Sequence, residues 1–240
     1  MTDTIRHHDK PPHVEEHLKS SEFLTDVVIG MSDGLTVPFA LAAGLSGAVA
    51  SSGLIVSAGI AEIVAGSVAM GLGGYLAGQT ELDHYASELK REYEEVERVP
   101  EREKEEVKEI FADYGLSPAL QDSIVEELAK DKKKWVEFMM RFELGLEEPN
   151  PKRATNSALT IGISYILGGI VPLSPYFLID NPQTALTYSA VLTLICLFIF
   201  GYFKSKFTGQ PLLKGALKVM LIGAVAATAA YFVEIGRAHV

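Results

Sequence analysis

Two long apolar runs near the start of the chain constrain its fold more than any other feature. They cover residues 27–50 and 53–79, and only Ser51 and Ser52 separate them. As α-helices rising 1.5 Å per residue, each would be roughly 36–40 Å long, enough to cross a bilayer core of about 30 Å with some tilt. We therefore predict a transmembrane helical hairpin.

Each of these runs contains one acidic residue well inside it. Asp33 lies in the first run and Glu62 lies in the second. A carboxylate at membrane depth costs at least about 2–3 kcal/mol on insertion scales. Two such costs in consecutive helices predict a polar pathway or an ion site in the membrane.

A methionine follows Glu62 on the same side of the second helix. Glu62, Gly66 and Met70 are spaced four residues apart, so they share one helical face with slow drift. Near two acids, the thioether of Met70 is a credible soft ligand for a transition metal.

Pro38 interrupts the backbone hydrogen bonding of the first helix about one turn from Asp33. Such a break is tolerated in a membrane where it is enclosed by protein or lines a cavity. A simple packing kink is the alternative, and the sequence leaves both interpretations open.

The charge of the chain is unevenly distributed. The net charge is −10; residues 81–150 hold 21 acidic and 11 basic residues, and the rest of the chain holds 10 of each. An acidic soluble segment argues against nucleic acid and anionic lipid as its partners and favours cations. The hydrophobic content of 48% predicts an integral membrane protein with a soluble part, and the single Cys196 excludes a disulfide framework.

The acidic segment continues the helical pattern of the second span. No helix breaker occurs between Gln79 and Pro100, so we expect one helix that extends from the membrane into water. A second helix should follow Pro100. A third should begin with Ser117 as N-cap and Pro118 at the first helical position, and run without interruption to Gly145.

Acidic and methionine side chains recur on the faces of this predicted three-helix module. Carboxylates three residues apart share a helix face, where they repel one another unless a cation or a base lies nearby. Helices that present such pairs to each other resemble the carboxylate metal sites of helical bundles. A solvated charged face is the alternative. The candidate ligands are Glu92, Glu95, Glu103, Glu106, Met139, Met140 and Glu143.

Three further apolar runs bring the number of predicted spans to five, which places the two termini on opposite sides of the membrane. These runs cover residues 154–179, 184–203 and 212–233. Lysines and arginines flank the N-terminal tail, the module and the connection between the last two spans, whereas the other two short connections have none. The positive-inside rule therefore puts the N-terminus and the module in the cytosol and the C-terminus outside it.

The fold class is therefore an all-α polytopic membrane protein with five transmembrane helices and an inserted cytosolic three-helix metal-binding module. In the N-terminal tail, His13 and His17 would share a helical face that could bind a metal, and a solvated tail is the alternative. The predicted divisions are the tail at 1–22, the first two membrane helices with their cytosolic extension at 23–89, the module at 90–150 and the last three spans at 151–240.

Several motifs resemble those of the vacuolar iron transporter family. They are DGLTVPFALAAGL in the first span, AGSVAMGLGGYLAGQTELDHY in the second, and the inserted glutamate-rich module. The resemblance covers nearly the whole chain from Glu22 onward. Where related sequences often read SMGxGEY, this chain reads AMGLGGY, so Gly74 stands at a position that is often acidic.

The resemblance implies a homodimer in the vacuolar membrane that exports Fe²⁺ from the cytosol into the vacuole in exchange for protons, along a path formed between subunits by the first span. Matched onto this sequence, the pathway residues are Asp33, Glu62 and Met70. The family's cytosolic metal-binding set falls on the candidate ligands of the module. We expect membrane lipid, divalent metal ions and protons as partners, no nucleic acid and no prosthetic group.

Fe²⁺ is the expected transported ion, with Mn²⁺, Co²⁺ and Zn²⁺ as further candidates. A membrane-anchored metal buffer or sensor is the alternative function, in which the module acts and the spans only anchor it. That alternative leaves Asp33 and Glu62 unexplained. We do not expect an enzyme, because the sequence has no nucleophile–base pair, phosphate loop or His-rich catalytic metal site.

Overall fold

The structure is a computed structural model that describes residues 20–238, with side chains from residue 22 to 229 and at Phe232. His13 and His17 of the tail lie outside this part of the chain. The described residues form α-helices and one short 3-10 helix, which covers Ser174–Phe177. The α-helices, numbered α1 to α8 in chain order, are Ser20–Ala48, Ser52–Arg98, Pro100–Asp113, Pro118–Leu128, Lys132–Phe142, Arg153–Leu173, Pro182–Phe207 and Leu212–Ala238.

Five of these helices, α1, α2, α6, α7 and α8, are long and apolar enough to cross a membrane. The predicted all-α class and the five predicted spans are therefore confirmed. The helix α2 has 47 residues, so it is roughly 70 Å long and more than twice as long as a hydrocarbon core is thick. Its unbroken course past Gln79 agrees with the predicted extension into water.

The helix α1 is the centre of the membrane bundle, because it contacts α6, α8, α2 and α7. Its buried side chains include Leu35 and Phe39. Glycines set the distance between α1 and α6: a Cβ atom at Gly168 would lie 2.9 Å from the backbone nitrogen of Leu35, and one at Gly34 would collide with the backbone of Tyr165. Such close backbone approach is the usual role of small residues between membrane helices.

The helix α1 continues through Pro38 without a break. Pro38 is buried, and its ring lies beside Gly169 of α6, where a Cβ atom would be 3.2 Å from Pro38 Cγ. Of the two interpretations of this proline, the contacts favour the packing role over a cavity-lining break.

The helices α3, α4 and α5 form a module with an apolar core of its own on the last turns of α2. The predicted starts of α3 at Pro100 and of α4 at Pro118 are confirmed. The single helix predicted from Pro118 to Gly145 is wrong, because it is two helices. The second of these helices, α5, begins after Asp131, which is its N-cap. The Asp131 side chain accepts a hydrogen bond from the Lys134 N–H, as short polar side chains do at helix starts. The buried core residues are Val96, Val107, Val125, Trp135, Val136, Met139 and Met140.

An ion-pair network joins the membrane helices where they meet the module. Arg153, at the start of α6, lies 2.8 Å from a carboxylate oxygen of Asp26 in α1, which is 3% exposed. The same guanidinium lies 3.4 Å from Glu22 of α1 and 3.7 Å from Glu81 of α2. One cation therefore links three of the five membrane helices at one end of the bundle.

We expect Gly34→Ala to destabilise the bundle, because the added methyl group would collide with the backbone of Tyr165, which cannot rotate away. Overpacking of this kind typically costs about 1–3 kcal/mol. The measurement is thermal unfolding of the purified protein in detergent. Gly73→Ala is the matched control, because no atom lies within 4 Å of a Cβ atom at that position. Equal loss of stability in both variants would contradict this account of the contact between α1 and α6.

Candidate metal centres

The first candidate centre lies inside the membrane bundle and is built around Tyr165 of α6. This side chain is 2% exposed, and its hydroxyl donates a hydrogen bond to Glu62 Oε1 of α2. On α1, Asp33 directly precedes Gly34, where an added Cβ atom would collide with the backbone of Tyr165. The helices α2 and α6 therefore supply a hydrogen-bonded carboxyl–phenol pair, and Asp33 lies on the α1 segment that packs beside Tyr165.

A glycine makes room for this arrangement. A Cβ atom at Gly66, one turn after Glu62 on α2, would overlap with the Tyr165 hydroxyl and its ring. Without a side chain at that position, the ring lies against the α2 backbone and its hydroxyl reaches Glu62. Gly66 therefore leaves room for Tyr165 on the face of α2 that we predicted from the sequence to be functional.

The second oxygen of Glu62 has no partner. Glu62 Oε2 is buried and has no hydrogen bond among the described residues. A buried carboxylate oxygen without a partner is costly, because neither water nor a donor replaces its lost hydration. A bound cation or a proton would remove that cost, so the geometry suits a site that exchanges one for the other.

Met70 lies on the same helix but farther away. It is half-buried and lies eight residues after Glu62, about 12 Å along the helix axis. The structure therefore pairs Glu62 with Tyr165, places Asp33 on the α1 segment that packs on α6, and leaves Met70 at another depth of the bundle.

Gly74, where the family resemblance led us to expect an acid, faces α6. A Cβ atom there would lie 2.6 Å from Ile161 Cδ1 and 2.9 Å from Ser157 Oγ. The position is buried, so this chain uses it for close packing of α2 on α6.

The second candidate centre lies in the module, between the end of α2 and the start of α3. One carboxylate oxygen from each of Glu92, Glu95 and Glu103 lies within 4.8 Å of the other two. Glu92 and Glu103 are 2% and 1% exposed, and Glu92 Oε2 has no hydrogen-bond partner among the described residues. Three converging carboxyl groups, one of which has a buried oxygen without a partner, are an arrangement that a divalent cation would satisfy.

Arginines neutralise only part of this cluster. Arg91 Nε lies 3.2 Å from Glu95, and Arg102 Nε lies 2.9 Å from Glu106. Glu92, Glu103 and Glu143 have no ion-pair partner within the described part of the chain. The negative charge that no base compensates is therefore concentrated on Glu92, Glu103 and Glu143.

Burial and mutual repulsion shift the titration of these groups. Burial raises the pKa of Glu103 to about 7, and the charges of Glu106 and Glu92 add to the rise. Burial likewise raises the pKa of Glu143 to about 7, with the charges of Glu106 and Glu103 adding to it. Both carboxyl groups are therefore largely protonated at pH 6 and largely ionised at pH 8, so protons and metal ions compete for them near neutral pH.

The two methionines of the module are core residues. Met139 and Met140 are 0% and 1% exposed and belong to the apolar core of the module. They lie one turn before Glu143, whose N–H donates to the carbonyl of Met139. A ligand role for either sulfur stays a prediction.

Two features of these centres were missed from the sequence. Tyr165 is the hydroxyl group that organises the membrane centre, and its only signal was a phenol in the middle of an apolar run. The Arg153–Asp26 pair was missed because Asp26 precedes the apolar run and reads as an exposed flanking charge.

Comparison with known proteins identifies relatives over nearly the whole chain. A family model described as the VIT family matches residues 24–234. A protein of Arabidopsis thaliana named vacuolar iron transporter 1 is 56% identical over 219 residues, which are 91% of this chain and 88% of the relative. A protein of the same name from Oryza sativa subsp. japonica is 51% identical over 231 residues, 96% of this chain and 92% of the relative.

A more distant relative comes from yeast. Protein CCC1 of Saccharomyces cerevisiae is 38% identical over 220 residues, which are 87% of this chain and 67% of the relative. The similarity therefore extends through both candidate centres and all five membrane helices.

We expect metal binding by the module to release protons at pH 6 and few or none at pH 8, because Glu103 and Glu143 have pKa values of about 7. Each displaced proton weakens the apparent affinity about tenfold per pH unit below about 7. The measurement is calorimetry with Mn²⁺ on the full-length protein, in buffers of different ionisation enthalpy. Every protein in this experiment also carries Asp33→Asn and Glu62→Gln, so that the membrane carboxylates do not contribute to metal binding or proton release.

Glu103→Gln should lower the affinity at least tenfold in that experiment and remove one of the released protons. Glu101→Gln is the control, because its side chain lies on the same helix and is 87% exposed. Unchanged binding by Glu103→Gln would mean that the cluster is only a charged face.

Proposed function

The chain belongs to the VIT family, and on that premise we propose that it carries Fe²⁺ from the cytosol into the vacuole in exchange for protons. The resemblance predicted from the sequence motifs is thereby confirmed. The names of its relatives support iron as the transported ion and the vacuolar membrane as the location. The family consists of transporters, and the chain is not an enzyme.

One observation carries the proposal: two carboxyl groups lie in the membrane bundle without a basic partner among the described residues. Glu62 is hydrogen-bonded to Tyr165 and has one oxygen left unpaired, and Asp33 lies on α1 next to Gly34, which packs against the Tyr165 backbone. Ionisable groups at membrane depth are costly, and they typically belong to ion or proton pathways. An anchor for a metal buffer would need neither carboxylate, which argues against that alternative.

The exchange follows from the chemistry of a carboxylate. A metal ion and a proton cannot occupy the same carboxylate oxygen, so binding of one displaces the other. An acidic lumen protonates Glu62 and Asp33 and releases the metal, and the protons leave on the cytosolic side when the next ion binds. Tyr165 holds Oε1 of Glu62 and leaves Oε2 for the exchanging species.

The module collects metal from a dilute cytosolic pool. Its ligands are Glu92, Glu95 and Glu103, with Glu106, Glu143 and the sulfurs of Met139 and Met140 completing the set during uptake. Carboxylate oxygens alone would suit Mg²⁺ and Ca²⁺, whereas sulfur ligands such as these and Met70 favour a transition metal. Mn²⁺, Co²⁺ and Zn²⁺ are then competing substrates.

The orientation follows from the lysines and arginines. They flank the N-terminal side of α1, the module and the α7–α8 connection, which puts the module and the N-terminus in the cytosol and the C-terminus in the lumen. The module then faces the side from which the metal comes.

The transporter is a homodimer whose pathway lies between two copies of α1. Asp33 lies between Ile29 and Val37 on one helical face, and those two side chains are 38% and 43% exposed in the single chain. The Asp33 face is therefore the face of α1 that the other helices leave uncovered. Twofold symmetry would double each ligand at its own depth, which brings the number of ligands closer to the four to six that a divalent ion prefers.

We expect Asp33→Asn and Glu62→Gln each to reduce metal flux to background while the protein still folds, because each variant removes a charge that the exchange requires. The measurement is Fe²⁺ uptake into proteoliposomes under anaerobic conditions, with and without an acidic interior. Glu101→Gln, which removes one exposed module charge, should transport normally. Normal flux from both membrane variants would remove these residues from the mechanism.

Cysteines on the Asp33 face of α1 should cross-link two subunits. Ile29→Cys and Val37→Cys are the test positions, in a background where Cys196, the single native cysteine, is replaced by serine. Val191→Cys on α7 is the control, because that side chain is 55% exposed but lies away from α1 in the proposed dimer. Cross-linking at Val191 alone, or an active monomer, would refute the shared pathway.

A further inference from the structure

A basic cleft lies between the end of α7 and the start of α8. Its volume is about 430 Å³, and Lys204, Lys214 and Lys218 line it together with Ser205 and Gln210. None of its lining residues is acidic. Just beyond the cleft the two helices cross closely, since a Cβ atom at Gly201 of α7 would lie 2.9 Å from Ala216 Cα of α8.

The lysines of this cleft are unlike those of the module. Every lysine and arginine in residues 81–150 forms an ion pair with an acidic side chain. Lys204, Lys214 and Lys218 form none within the part of the chain that the structure describes. Lys214 also lies in the first turn of α8, which contains no acid, and a cation there is unfavourable next to the positive end of the helix dipole. Three lysines that line one cleft without an acidic partner leave a positive charge there that favours an anion from outside the chain.

A serine with an unpartnered hydroxyl group also lines the cleft. Ser205 is 4% exposed, and its hydroxyl has no hydrogen bond among the described residues. Its backbone carbonyl accepts from the Gln210 N–H at 2.9 Å. Gly215 of α8 packs directly against the hydroxyl, since any side chain there would collide with Ser205 Oγ. A hydroxyl donor therefore remains available in the lining of a basic cleft.

The cleft lies at the surface of the membrane, on the same side as the module. The chain leaves the module at α6, crosses the membrane, returns through α7 and enters α8, so the α7–α8 connection and the module share one face. Apolar side chains next to the cleft are exposed, including Phe207 at 61%, Leu213 at 65% and Leu217 at 46%. An anion that also has acyl chains fits both the lysines and this apolar rim.

We propose that this cleft binds the phosphate-bearing headgroup of an anionic lipid in the leaflet on the module side. The lysines contact the phosphate, the Ser205 hydroxyl donates a hydrogen bond to it, and the acyl chains lie along the exposed apolar residues of α7 and α8. The acidic module repels such lipids, but the cleft lies on a different part of the chain and carries the opposite charge. Basic pockets between membrane helices on the cytosolic side are typical lipid-headgroup sites.

The test is native mass spectrometry of the full-length protein in detergent, titrated with dioctanoyl phosphatidylinositol monophosphate. We expect saturable binding of this lipid and weak binding of dioctanoyl phosphatidylcholine. Replacing Lys204, Lys214 and Lys218 singly by glutamine should weaken binding roughly fivefold each. Lys206→Gln is the matched control, because it removes the same charge two residues from Lys204 and does not line the cleft. Ser205→Ala should weaken binding as well.

Two results would overturn the proposal. One is equal loss of binding in Lys206→Gln and Lys204→Gln, which would mean a diffuse surface charge and no built site. The other is binding of inorganic phosphate as tight as that of the lipid, which would mean a site for a free anion. Metal binding by each variant, measured in the same preparation, shows whether that variant is folded. The result of the lipid titration does not depend on which ion the protein transports.

Discussion

The hydrogen bond from Tyr165 to Glu62 is the interaction on which the membrane part of the structure depends. A carboxyl group enclosed by apolar helices needs a partner, and the described residues provide no base to serve as one. A phenol is a neutral donor, so it orients the carboxyl group without neutralising it. A lysine in the same position would form a stable ion pair and would exclude both metal and proton. In the proposed mechanism, a tyrosine at this position therefore leaves the carboxyl group available for exchange.

Close helix packing is a precondition for that bond. Tyr165 reaches Glu62 because Gly66 has no side chain, and α6 lies close to α1 because Gly34 and Gly168 have none. Asp33 lies next to Gly34 and shares its helical face with the exposed side chains of Ile29 and Val37. The glycines of the first three spans thus hold the helices together and leave room for the Tyr165–Glu62 bond, and a larger residue at one of them would affect both.

The spans, the two membrane acids and the glutamate pairs of the module could be predicted from the sequence, because each depends on periodicity or on the cost of burying a charge. The arginine partners of Glu95 and Glu106 are also local, four residues away in each case. Tyr165 could not be assigned, because its partner is 103 residues away and is reached only when α6 packs on α2. The break at Asp131 was missed because the apolar residues around it keep the same helical periodicity whether the aspartate caps a new helix or continues the old one.

The two candidate centres differ in how their charge is compensated, and under the proposed function that difference suits a transfer of metal between them. Glu62 and Glu92 lie on one continuous helix, 30 residues apart and therefore about 45 Å along its axis. In the module, arginines hold Glu95 and Glu106, while Glu103 and Glu143 have pKa values of about 7. At neutral pH these two carboxyl groups are about half ionised. The ionised fraction attracts a divalent cation, which must still displace the remaining protons. Under the proposed function, such a site binds a scarce ion without holding it permanently. The unbroken course of α2 connects this site to the proposed membrane pathway through a single helix.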